Sequence, residues 1–129
     1  RELLKRYEPR QVRRRRLVER YVQNLSGVER LTIPFGQAAV SSAHHLFVVL
    51  FEDAATRNAV RRRLEECGVQ TSIHYRPIHT FSFYSRRKWN LPKTEDFYAR
   101  ALSLPLYPAL GISQIDAICE IIVDAIAGR

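Results

Sequence analysis

Apolar residues recur at helical spacing between residues 10 and 25, where Leu17, Val18, Tyr21, Val22 and Leu25 fall on one face. The same spacing places Leu3, Leu4 and Tyr7 on that face, with Pro9 expected to kink or restart the helix because it lacks a backbone N–H. Gly27 supplies a C-terminal stop. The run Arg13-Arg14-Arg15-Arg16 covers most of the helical circle. Arg13, Arg15 and Arg16 are expected to face solvent. Arg14 falls inside the apolar stripe, where a guanidinium needs a carboxylate, backbone carbonyls or a neighbour from outside the chain.

Further on, "VERLTIP" (28–34) reads as a short strand ended by Pro34. "HHLFVVLF" (44–51) is almost continuously apolar and predicts a central strand, with His44 and His45 pointing to opposite faces. Asp53 is placed to cap a helix over 54–67, whose stripe is Ala55, Ala59, Val60 and Leu64 and whose end is Gly68. "VQTSIHY" (69–75) alternates as a strand with one wet face. Residues 76–93 read as a loop, followed by a helix from about Thr94 to Leu102. "LSLPLYPALG" is Pro-rich and extended. Ser113, with Asp116 three residues on, opens a last helix striped by Ile115, Ile118, Ile122 and Ile126. The order predicts an α+β fold, a small and mostly antiparallel sheet of about three strands flanked by helices.

The 129 residues suffice for one domain, 1–129, led by a helix over 1–26. No apolar run approaches the ~20 residues that span a bilayer, and no signal-like segment opens the chain, so a cytoplasmic protein without membrane partners is expected. Cys67 and Cys119 are expected to be buried free thiols. The chain has no methionine and starts at Arg1, which suggests a piece of a longer protein.

A net charge of +8 raises a second reading, a free-standing basic module that binds RNA or another ligand. Its distribution argues against a nucleic-acid face. Residues 1–30 carry ten basic and four acidic side chains, while the other 99 carry eleven against nine. The excess belongs to one segment, and no aromatic pair sits on adjacent strands as an RNA-stacking sheet requires.

Two of the four histidines fall in "HYRPIH" (74–79). His74 and His79 are five apart with Pro77 between them, so they cannot form a helical i, i+4 metal pair, and no Cys or carboxylate lies close in sequence to complete a set. Ser72 shares a strand face with His74, but no glycine-framed nucleophile turn surrounds it. No Gly-rich loop cradles a phosphate. His, Tyr and Arg together suit an anionic or hydroxyl-rich ligand. On these grounds alone, His74 and Tyr75 read equally well as a strand end at the surface.

"HYRPIHTFSFY" resembles the His-Tyr-x-Pro-x-His … Tyr segment of the DegT/DnrJ/EryC1/StrS aminotransferases, pyridoxal-phosphate enzymes that aminate nucleotide-linked keto sugars. The resemblance continues in order through "NLPKTEDFYARALSLPLYPALGISQIDAICEII" (90–122), is shared upstream by "RRRRLVERYVQNLSGVERLTIP" (13–34) and "HHLFVVLF" (44–51), and so covers nearly the whole chain. It implies the C-terminal small domain of a fold-type-I aminotransferase. The pyridoxal 5'-phosphate would be held by an N-terminal cofactor domain outside this chain, and none by this piece, since none of Lys5, Lys88 and Lys93 matches a cofactor lysine by position. It also implies a homodimer with interfacial active sites, working in surface-polysaccharide, lipopolysaccharide or deoxysugar biosynthesis. The small domain would frame the nucleotide-sugar pocket without being catalytic alone. His74, Tyr75 and His79 match the motif's substrate-facing positions, and Tyr84 matches its downstream tyrosine. Arg76 stands at the variable position, where an arginine could meet a substrate phosphate. Phe83 replaces the family's usual proline.

Overall fold

Leu17, Tyr21 and Leu25 lie one turn apart on a single helical face, and all three are withdrawn from water. The rest of the chain closes over that face. The computed structural model describes residues 7–34, 42–84, 87 and 89–128. Helix α1 runs Tyr7–Leu25 and carries Pro9 in its first turn, where a backbone N–H has no intrahelical acceptor to lose. Leu3 and Leu4 lie outside the described residues. Gly27 follows at a φ of 80°, in the left-handed region that glycine enters without a Cβ clash.

Strand β1 (Leu31–Thr32) pairs antiparallel with β2 (Phe47–Phe51), which pairs antiparallel with β3 (Ala101–Leu104). β2 is central, as its apolar run predicts, with Phe47, Val49 and Phe51 buried. Helix α2 (Ala54–Glu66) is capped by Asp53, whose carboxylate accepts from the Thr56 N–H at 2.7 Å and is held below the ordinary carboxylate range by that bond. Helix α3 (Pro92–Arg100) leads directly into β3, and α4 (Ile112–Ile126) ends the described chain. α4 packs against both α1 and α2, and the buried faces of the three helices meet the inner face of the sheet in one core. The result is the expected α+β architecture. No helix among the described residues is long and apolar enough to cross a membrane.

Several expectations need correction. The third strand is Ala101–Leu104, not 69–75, and the preceding helix stops at Arg100. All four residues of β3 are buried, so its sequence shows no alternation to read. Segment 69–73 does alternate, with Val69 and Ile73 packed against the core, but the pattern fails at its end, where His74 is half-buried and Tyr75 exposed, and its backbone meets the sheet only at a Ser72–Ser103 bridge. His44 and His45 precede β2 instead of opening it. α4 starts at Ile112, where the Gln114 side chain accepts from the Gly111 N–H at 2.9 Å. Asp116, expected near that cap, faces α1 instead, and Arg20 donates to both its oxygens at 2.6 and 2.9 Å while Asn24 donates at 2.7 Å. The bond from Arg20, then that from Asn24, holds the Asp116 carboxyl below its usual range. Arg13 does not face solvent freely, since it donates to the carbonyls of Pro108 at 3.4 Å and Leu110 at 2.8 Å.

Cys119 is buried, but Cys67 is exposed at the end of α2, where the chain turns through Gly68. Burial pushes the Cys119 thiol up to about 11. Since the thiolate is the reactive form, a maleimide at neutral pH is expected to label one cysteine, Cys67, and to reach Cys119 only in denaturant. Peptide mapping of the labelled protein checks this, and prompt labelling of Cys119 in the folded protein would contradict the burial.

Candidate functional site

The mutual backbone bonds of the Ser72–Ser103 bridge, 3.1 and 2.8 Å, fix where the 69–75 segment leaves the sheet. Beyond it the chain runs over the surface and tightens into two single turns, Ile78–Thr80 and Ser82–Tyr84. Pro77 is buried beneath the first turn. Thr80 Oγ1 donates to the Pro77 carbonyl at 2.7 Å. Arg76 reaches back into the same turn, giving Nε to Thr80 Oγ1 at 2.9 Å and an Nη to the Thr80 carbonyl at 3.0 Å. Its guanidinium lies 5.2 Å from the centre of the Phe81 ring. Arg76 therefore staples its own turn in this conformation.

The two motif histidines face different recesses. His74 places Nδ1 2.8 Å from the Ser103 hydroxyl, and its ring stands edge-on to Tyr75 with centroids 4.7 Å apart. It lines a groove of about 630 Å³ with Ser72, Ser103, Tyr107 and Gln114, walled by apolar residues of α4. His79 shares the other recess with Pro77. Its side chain is 10% exposed, and Nε2 sits 2.8 Å from a Glu95 carboxylate oxygen on α3. His79, Ile78, Tyr84, Trp89 and Leu91 line a smaller, almost wholly apolar hollow of about 290 Å³. Tyr84 meets Phe83 edge-to-face at 5.1 Å, and Arg87 lies 4.6 Å over the Trp89 ring. Tyr75 and Phe83 are 78% and 83% exposed, so aromatic surface is presented outward along the whole segment.

Of the residues singled out by sequence, His79 and Tyr84 share a recess, while His74 belongs to another. Tyr75 projects into solvent, and Arg76, also exposed, folds back onto its own turn. Arg14 lies on α1 and lines neither recess; its Nε is buried without a hydrogen-bond partner among the described residues. Sequence reasoning missed Ser103, Glu95 and Trp89. Ser103 carried a signal, a hydroxyl inside the apolar run Ala-Leu-Ser-Leu, where a buried polar group needs a partner. Glu95 and Trp89 carried none, because nothing local marks which charge on an exposed helix or which ring in a loop closes on a motif 10 to 16 residues earlier.

Among the described residues no three His, Cys, Asp or Glu side chains gather as a metal set. Lys93 stands exposed in the first turn of α3, and Lys5 and Lys88 lie outside the described residues.

The fold has solved counterparts among aminotransferases. TlmJ, an aminotransferase from Streptoalloteichus hindustanus, superposes with a TM-score of 0.89 at 34% identity, over 97% of this chain and 34% of its own. Spr1654 from Streptococcus pneumoniae, solved in its PLP form, superposes at 0.86 with 25% identity over 97% of this chain and 33% of its own. SpsC of Bacillus subtilis, a spore coat polysaccharide biosynthesis protein, is 29% identical over 133 residues, 97% of this chain and 34% of SpsC. Residues 1–123 match the sequence profile of the DegT/DnrJ/EryC1/StrS aminotransferase family, and the chain belongs to that family. Its members are pyridoxal-phosphate enzymes. The chain spans about a third of the length of the relatives it matches.

Proposed function

We propose that this chain is the C-terminal small domain of a cytoplasmic, pyridoxal-phosphate-dependent aminotransferase that aminates a nucleotide-linked keto sugar for polysaccharide or deoxysugar biosynthesis. One observation carries the reading, the family match over nearly the whole chain combined with its confinement to a third of each relative. The cofactor supplies the electron sink for amino transfer and belongs to the N-terminal domain of the intact, homodimeric enzyme. The residues of this chain bind and orient the sugar nucleotide. His74, Tyr75, His79 and Tyr84 line its path, and Arg76 sets the turn that presents them and stands near enough to the surface to meet a phosphate. Arg14 is assigned to the domain interface, because its buried Nε finds no acceptor among the described residues.

The exposed charge offers the RNA reading little support. Arg13, Arg20, Arg30 and Arg100 are each engaged by carbonyls or carboxylates, and Arg57 is buried. The deciding experiment incubates the intact protein containing this chain with pyridoxal phosphate, an amino-acid donor and a series of nucleotide-linked keto sugars. The expected result is keto acid formed in proportion to aminated sugar nucleotide. An intact protein that neither binds the cofactor nor releases keto acid with any of them overturns the reading.

A further inference from the structure

Strand β3 is closed on both faces, yet its third residue is a serine. Ser103 is 5% exposed, between Leu102 and Leu104 in a strand whose four residues are all buried. A hydroxyl placed there needs a partner, and alanine would fill the position with almost the same volume. The hydroxyl's bond runs to the first histidine of the motif, Oγ to His74 Nδ1 at 2.8 Å. The neighbouring bridge explains how the two meet. Ser72 and Ser103 exchange backbone hydrogen bonds, so their side chains share a face, and His74, two residues beyond Ser72, returns to that face diagonally across from Ser103. The imidazole is then fixed twice, by the hydroxyl at Nδ1 and by the edge-on Tyr75 ring. Nε2 has no partner among the described residues, and the half-buried side chain lies on the wall of the 630 Å³ groove.

We propose that Ser103 is a positioning residue: its hydroxyl sets the rotation of the His74 imidazole so that Nε2 alone is offered to a polar substituent of the substrate. This rests on the aminotransferase reading for what Nε2 meets, but not for the orientation itself. An imidazole without a fixed partner at Nδ1 exchanges its two nitrogens by a ring flip and presents either one, which weakens a directional contact to bound substrate.

Two measurements on the intact protein test this. The first is kinetic. Ser103→Ala is expected to raise KM for the keto-sugar nucleotide about tenfold with kcat within about twofold, and Ser103→Thr, which keeps the hydroxyl in a strand that favours β-branching, to restore KM to within about threefold. The second is the rotation of the ring, read from NOE contacts of the His74 Hδ2 and Hε1 protons in protein with selectively labelled histidine. His74 in the wild type is expected to hold one ring orientation, with Nδ1 toward Ser103, and Ser103→Ala to populate both flips. A wild-type His74 ring that already averages its two flips overturns the proposal, even if Ser103→Ala fails to fold. A folded Ser103→Ala with unchanged KM, or a folded Ser103→Thr as impaired as alanine, overturns it as well. If the wild type transfers no amino group, the functional reading fails while the ring spectra still decide the positioning.

Discussion

Tyr21→Ala is expected to destabilise the fold by about 3–5 kcal/mol, the range for removing a large buried ring. Three contributions converge on this side chain. It is fully buried at the centre of the α1 stripe. Its ring stacks on Phe47 of the central strand, with centroids 4.7 Å apart and planes within 12°. Its hydroxyl donates to the Pro105 carbonyl at 3.0 Å, tying α1 to the segment that leaves β3. Burial pushes the phenol's pKa up, so the hydroxyl keeps its proton and its role as donor across the physiological range. Truncation loses the transfer free energy of the ring, opens a cavity between helix and sheet, and strands the Pro105 carbonyl. Against a typical stability of about 5–15 kcal/mol, that is enough to leave the variant marginal. Tyr21→Phe keeps the stack and loses only the hydrogen bond, about 1 kcal/mol. Urea denaturation of the three proteins gives both differences. A loss below about 1 kcal/mol for Tyr21→Ala would show that the core collapses onto the vacated space, contrary to the close packing of the site.

What the sequence revealed of this fold follows from where each signal lives. α1, β2 and α2 are legible because each buries one face against a wet one, or has a cap that acts on its own neighbours, as Asp53 does on Thr56. Periodicity reports burial, however, not backbone pairing. Segment 69–73 alternates because Val69 and Ile73 reach the core, yet its backbone bonds to the sheet only at Ser72. β3 pairs fully with β2 and does not alternate, because both of its faces are covered. Arg13 and Asp116 were misplaced for a related reason. Their partners, Leu110 and Arg20, lie 97 and 96 residues away, beyond any local rule.

The candidate site divides in the same way. The motif residues themselves are marked in the sequence. Their assignment to two recesses is not, because it depends on the Ser72–Ser103 bridge bringing His74 to Ser103 and on α3 bringing Glu95 to His79. A phosphate-binding role for Arg76 was inferred from its charge. The structure shows what competes for that charge, the Thr80 hydroxyl and carbonyl four residues on, so a phosphate would have to meet the guanidinium on its remaining edge or displace those bonds.

His79→Ala in the intact enzyme is expected to lower kcat/KM for the sugar nucleotide about a hundredfold, which misplacing a substrate-positioning segment by about 1 Å is enough to produce. The substitution removes two things at once, an imidazole wall of the apolar hollow and the Nε2–Glu95 contact that ties residues 76–84 to α3. Stability should change far less than activity. Glu95 is 54% exposed, and such a pair contributes about 1 kcal/mol or less. Glu95→Gln separates the two losses, since it keeps the imidazole and the shape of its partner while removing the charge. If the imidazole meets the substrate, Glu95→Gln falls only about fivefold; if the histidine serves only to anchor the segment, the two variants fall together. Steady-state kinetics on both, with melting curves to confirm folding, distinguish these outcomes. A His79→Ala enzyme with wild-type kcat/KM would remove this wall from the substrate pocket altogether and leave the His74 groove as the chain's contribution to it.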